Sequence, residues 1–169
     1  PLLAVLSKHL LHLGKNRHIW NPAAFAMASL NLLVPAVSWW AVSWGTIPLV
    51  IVIAVGSFIL WRQDRWHITL PFLASYSAFS VLTLLWAGSG AAGALKTLPS
   101  LLLDGTLLFF ATVMLVEPVT STFPTRRQRS IYGVLVGFSA SATSFMAQIF
   151  PQVRVDPLII GLLIGNIIA

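Results

Sequence analysis

The chain has 169 residues, 57% of them hydrophobic and 8% charged, with a mean hydropathy of +0.88. A soluble domain carries about 25% charged residues, so this composition excludes a water-soluble core and implies an integral membrane protein. The net charge of +6 suits basic loops that orient a membrane protein rather than nucleic-acid binding, and the lack of Cys excludes disulfides, thiolate metal sites and Cys-ligated iron–sulfur clusters.

Pro1–Leu6 is short and apolar and runs into Lys8, His9, His12, Lys15, Arg17 and His18. It reads as the tail of a membrane helix. With Pro1 in place of Met and an apolar end at Ala169, residues 1–169 read as a single membrane domain within a longer chain. His9 and His12 share a helical face, but no carboxylate joins them, and an interfacial role outweighs a metal or haem site. Asn21 before Pro22 is a favourable helix start. That helix is predicted to reach about Trp44, kinked at Pro35, with Asn31 facing protein. After a Gly45-Thr46 turn, further helices are expected over Ile47–Trp61, His67–Trp86, Lys96–Val116, Ser130–Phe150 and Pro157–Ala169. Gly88–Gly93 reads as a connector. Asp104 either caps a late helix start or lies in a polar path. Gly133, Gly137 and Ser141, and again Gly161 and Gly165, recur every four residues and predict close helix packing.

The stretch Glu117–Arg129 stands out between two apolar runs. Pro118 stops the incoming helix. The hydroxyls of Thr120, Ser121 and Thr122 are placed to satisfy the freed backbone. A carboxylate so near hydrocarbon needs water or a partner. One of Arg126, Arg127 and Arg129 is the expected partner of Glu117. The bland reading is a capped loop.

Helix alternation puts Lys8, Lys15, Arg17, Arg62, Arg65, Arg126, Arg127 and Arg129, eight of the ten Lys/Arg, on one side. The positive-inside rule assigns that side to the cytoplasm. Asn21-Pro22 and Glu117-Pro118 then share a face, one entering a helix and one leaving. Such paired interruptions hint at an inverted repeat with a site between its halves. The expected fold is thus an all-α integral membrane protein, with about six transmembrane helices after an N-terminal helix tail and with broken helices.

Several motifs in order now carry a resemblance: Gly14-Lys15-Asn16 with Asn21-Pro22-Ala23, Arg65-Trp66-His67-Ile68, Phe109-Phe110-Ala111-Thr112 before Glu117-Pro118-Val119-Thr120-Ser121, and Tyr132-Gly133 with Gly137. The chain resembles the RnfD/NqrB family, the membrane component shared by the Rnf electron-transport complex and the Na⁺-translocating NADH:quinone oxidoreductase. The resemblance implies two inverted halves, flavin cofactors and membrane electron transfer coupled to Na⁺ or H⁺ movement. It implies a prokaryotic inner (plasma) membrane and partners among other electron-transport subunits or a fused flavoprotein reductase, with quinone as a further one.

The resemblance places Asn16 and Asn21 at a non-covalent flavin, riboflavin or FMN. Trp20, Pro22 and Phe25 can flank it, although lipid-interface packing accounts for Trp20 and Phe25 equally well, and Glu117, with Pro118 and Thr120, either borders it from the facing loop or only fixes that loop. An isoalloxazine ring needs amide donors and acceptors on one edge and apolar or aromatic packing on its faces. This sequence departs from the family in lacking its first two helices, in having Glu117 where Asp is usual, and in lacking the outer loop whose Thr carries FMN. Covalent FMN at Thr46 is therefore not expected. The competing functions are an inverted-repeat transporter or channel without redox chemistry and a scaffold protein of the complex without cofactor.

Overall fold

A computed structural model describes residues 2–11, 18–33, 45–152 and 155–168. Among them the chain forms helices joined by turns: α1 Leu2–Leu10, α2 Pro22–Leu33, α3 Thr46–Gln63, α4 Trp66–Trp86, α5 Gly90–Leu102, α6 Gly105–Phe109, α7 Arg126–Ile149 and α8 Pro157–Ile168. α6 runs straight into a π-helical turn, Phe110–Met114. Three helices, α3, α4 and α7, are long and apolar enough to cross a membrane. α5 and α6 with the π turn make a fourth span if taken together, bent by 56° at the break. α2 and α8 are shorter apolar helices. The protein is an all-α membrane protein. Asn16, His12, Lys15, Arg17, Pro35 and Trp44 lie outside the described residues.

The boundaries correct two sequence expectations. The continuous helix expected over 96–116 begins earlier, at Gly90, and breaks at Leu103-Asp104. Asp104 is a cap: its carboxylate accepts from the Leu107 amide at 2.8 Å. α7 begins four residues before Ser130. Thr125 and Gln128 form a capping box, which closes the helix start ahead of Arg126. The arginines therefore belong to the first turn of α7 rather than to a loop.

The small-residue faces lie where their spacing put them. A Cβ at Gly133 would collide with the Ile68 carbonyl, and one at Gly137 with Ser75 and the Phe72 carbonyl. Ser141 donates to the Tyr76 carbonyl at 3.1 Å. This face is the seam between α7 and α4. On the other side of α7, a Cβ at Gly161 would stand 2.8 Å from Ala140, so α8 presses equally close. In a membrane, where lipid is as apolar as Leu, such close packing is a main source of helix association. The rest of the apolar surface faces outward. α3 exposes Ile47, Val50, Ile51, Val55, Phe58 and Trp61, as a lipid-facing helix should.

α2 packs against α8. Ala28, Asn31 and Leu32, late in α2, share a small cleft of about 50 Å³ with Val155, Asp156 and Ile159 at the start of α8. Asn31 thus faces protein, as its place in an apolar run required. Asn166, late in α8, accepts from the Tyr132 hydroxyl at 2.8 Å near the start of α7. Ala24, near the Asn21-Pro22 start of α2, and Val116, next to Glu117, belong to one buried core.

Candidate functional site

The polar end of the bundle is built from the chain break that follows the π turn. In that turn the Leu115 amide donates to the Phe110 carbonyl, five residues back, at 2.9 Å. The wider turn leaves the Ala111 carbonyl to a neighbour, and the buried Thr69 hydroxyl of α4 donates to it at 2.8 Å. Gly56 of α3 makes room: a Cβ there would stand 2.5 Å from Thr112 Oγ1. Such turns in α-helices are frequent at functional sites.

Pro118 then ends the helix, and the hydroxyls take over the carbonyls. Ser121 donates to the Glu117 carbonyl from its amide at 3.1 Å and from its hydroxyl at 2.6 Å. Thr122 donates its hydroxyl to the Pro118 carbonyl. Thr120 turns instead to the carboxylate and donates to Glu117 Oε2 at 2.9 Å. Thr120 and Ser121 are buried.

The arginines are used differently from the sequence expectation. Arg126 and Arg129 stand 3.7 and 3.8 Å from Asp64, and among the described residues no ion pair reaches Glu117. The reason is geometric. Asp64 closes α3 in the left-handed region, φ 50°, which Asp tolerates better than most residues. That corner turns it toward the α7 start, where a negative group offsets both the helix dipole and the arginines. Arg129 also donates to the Asp64 and Phe123 carbonyls, each at 3.2 Å. Arg65 donates to the Ser121 carbonyl at 2.6 Å and to its hydroxyl at 3.3 Å. Burial foremost, then the Arg129 charge, lowers the Arg65 pKa from its usual value, while Asp64 raises it. Arg65 stays protonated regardless.

A second polar cluster precedes α2. Asn21 is 5% exposed, and its side-chain oxygen accepts from the Ala23 and Ala24 amides at 3.0 and 3.1 Å. Trp20 stacks on Phe25, ring centroids 5.4 Å apart. The Trp20 indole nitrogen and His18 Nδ1 are buried without a hydrogen-bond partner among the described residues. Pro22 is the first residue of the helix. The structure thus brings Trp20, Asn21, Pro22 and Phe25 together, and separately Glu117, Pro118 and Thr120. Ala24 shares one buried core with Leu115 and Val116. Among the described residues no hydrogen bond or ion pair joins the two clusters directly.

Sequence reasoning missed Asp64 and Arg65 as the clasp on the 117–129 segment, and Asn166 as the partner of Tyr132. Asn166 carried the same signal as Asn31, a lone amide in an apolar run. Its Nδ2 is buried without a partner among the described residues.

An all-α membrane bundle with one polar, arginine-rich end is the class these features define. The chain is 37% identical over 84 residues to the D-type subunit of the ion-translocating oxidoreductase complex of Citrobacter koseri, a match covering 48% of this chain and 22% of the relative. It is 35% identical over 83 residues to the protein of the same name from Salmonella arizonae, again over 48% and 22%. The match spans about a fifth of the length of these curated relatives. No family model matches the chain, and no solved structure matches it.

Proposed function

We propose that this chain is a membrane component of an ion-translocating electron-transport complex, of the RnfD type, and that it holds a non-covalent flavin at its arginine-rich, cytoplasmic end. The likeness to the curated relatives supports the complex and its other subunits as partners. The likeness to NqrB, the counterpart in the Na⁺-translocating NADH:quinone oxidoreductase, rests on the motifs alone. The resemblance to the family supports a multi-pass protein of a prokaryotic inner membrane, and the charge rule supports the arginine-rich end as its cytoplasmic side.

The observation that carries the flavin is the buried Trp20 indole N–H without a partner, beside Asn21. A buried donor left unmade costs about 1–3 kcal/mol. A ligand with acceptors on its edge removes that cost. The cluster fits an isoalloxazine edge: Trp20 Nε1 and Asn21 Nδ2 donate, and the stacked Trp20–Phe25 pair offers an aromatic wall. Asn21 Oδ1 is not available to a ligand, because it caps α2. Bound there, a flavin supplies one- and two-electron chemistry, and the protein positions it and sets its potential.

The visible absorbance of the purified protein tests this. Near-stoichiometric bound flavin is expected, released on denaturation because it is not covalent. Asn21→Asp keeps the capping oxygen and removes the amide donor; Trp20→Phe keeps the ring stack and removes the indole N–H. Each is expected to lower flavin affinity by about tenfold, the loss of one hydrogen bond near 1.4 kcal/mol. A folded, colourless wild-type protein would refute the reading.

Glu117 and Thr120 line the facing loop, where Glu117 borders the flavin or relays a proton or cation beside it. Glu117→Gln keeps an acceptor for Thr120 and removes the charge. Electron transfer in the variant is expected to show an altered pH or cation dependence. An unchanged dependence, with flavin retained, leaves Glu117 a purely structural role.

The 56° break between α5 and α6 favours a second reading, a transporter that binds a polar solute at discontinuous helices without redox. Absence of flavin together with solute uptake in vesicles is its signature.

A further inference from the structure

We infer that the cleft between α4, α5 and α7 is a water-filled vestibule entering from the membrane face opposite the arginines and ending at an aromatic seal. The cleft measures about 170 Å³, room for several waters. Its polar lining consists of Tyr76, Ser80, Thr83, Thr97, Ser144 and Gln148, set among leucines and a valine, with no charged side chain. Thr83 and Thr97 donate to their own helices, to the Ser80 and Gly93 carbonyls, at 2.8 and 3.0 Å. The side chains of Tyr76, Ser80, Ser144 and Gln148 make no hydrogen bond within the described residues. Four polar groups with unspent capacity facing one space are costly in hydrocarbon, and water satisfies them at little cost.

Depth gives the vestibule its meaning. Tyr76 lies ten residues before the end of α4 at Trp86. At ~1.5 Å per residue that is about 15 Å, half of a hydrocarbon core of about 30 Å. Below it the polar lining stops. Phe72 lies against the Tyr76 ring at 5.8 Å and against Phe110 at 5.3 Å, and both phenylalanines are fully buried. Phe110 begins the π turn that leads to Glu117. Water therefore reaches the middle of the bundle from one face, and an aromatic layer separates it from the polar loop at the other. The oxygen-rich, uncharged lining suits water and small neutral or cationic solutes.

The inference does not depend on the flavin. Residues 1–169 contain no Cys, so the unsubstituted protein serves as the background for a single introduced thiol. Ser80→Cys and Ser144→Cys, in membrane vesicles of both orientations, are to be treated with a charged, membrane-impermeant methanethiosulfonate. Both should react faster than Leu82→Cys, a lipid-facing position on α4, by on the order of tenfold or more, since a thiol in hydrocarbon forms little thiolate. They should react from the face opposite that which labels Gln128→Cys, whichever face that is. Adding Ser80→Leu should slow labelling of Ser144→Cys. Where a position does not fold as Cys, Thr97→Cys at the rim of α5 replaces it. Rates no faster than Leu82→Cys, labelling from the Gln128 face, or no effect of Ser80→Leu would each overturn the vestibule.

Discussion

Gly133→Ala is expected to unseat α7 from α4. The new methyl would meet the Ile68 carbonyl oxygen, with the Phe72 amide nitrogen 3.2 Å away. Both are backbone atoms of a regular helix, so neither can turn aside as a side chain would. The helices must part, and the seam that includes the Ser141–Tyr76 bond opens with them. Overpacking of this kind costs ~1–3 kcal/mol, occasionally more. Against it stands the better helix propensity of Ala, about 1 kcal/mol. Because the clash is with fixed backbone, the net effect should be a loss of a few kcal/mol, read as a lower unfolding temperature in detergent. Gly93→Ala is the control. Its methyl would stand 3.6 Å from the Ser89 Cβ, an ordinary contact, so propensity alone acts and stability should hold or rise. Equal stability of Gly133→Ala and wild type would show that the seam is looser than described.

Arg65→Ala should have the second largest effect, and it should be local. The mutation leaves the Ser121 carbonyl without its charged donor in a residue that is 0% exposed. Hydrogen bonds to charged groups contribute roughly 1.5–3 kcal/mol, and the carbonyl would be left with the Phe123 amide alone, at 3.1 Å. Ser121 is also what holds the Glu117 carbonyl, so the whole 117–122 turn should loosen. Trypsin cutting at Arg126 and Arg127 ought to accelerate several-fold. In Arg65 one nitrogen, Nη1, reaches both the carbonyl and the hydroxyl; Arg65→Lys keeps the charge but puts a compact, strongly hydrated ammonium on a shorter stem, so an intermediate rate is expected. Unchanged cleavage in Arg65→Ala would mean the turn holds itself.

Much of this arrangement was legible because it depends on local spacing. Membrane class followed from composition. Gly133, Gly137 and Ser141 announced a packed face by their period. Asn21-Pro22 announced a helix start, and the hydroxyls after Pro118 announced where freed carbonyls would be met. What could not be read was pairing across the fold. Glu117 lies near three arginines in sequence, yet Asp64 takes two of them, because a left-handed corner 65 residues before Arg129 faces the same helix end. The break at Leu103-Asp104 was half legible: Asp104 reads either as the cap of a late helix start or as part of a polar path, and it is the cap. The π turn left no sign at all in the residue pattern; it is a matter of one extra residue between fixed neighbours.

That extra residue acts as a phase setting. Each residue in an α-helix advances the chain by about 100° and 1.5 Å. The Leu115–Phe110 bond absorbs one residue more than a regular turn would. Everything from Leu115 onward is thus dialled round the helix axis relative to Leu107. Remove one residue between Phe110 and Met114 and an ordinary helix can close, with every remaining bond inside it intact. Val116 would then take up the bearing of its neighbour, and Glu117 and Thr120, both downstream, would swing together to another side of the axis relative to Leu107. The helix itself would be better formed by that deletion, and the address it delivers its acid to would be wrong.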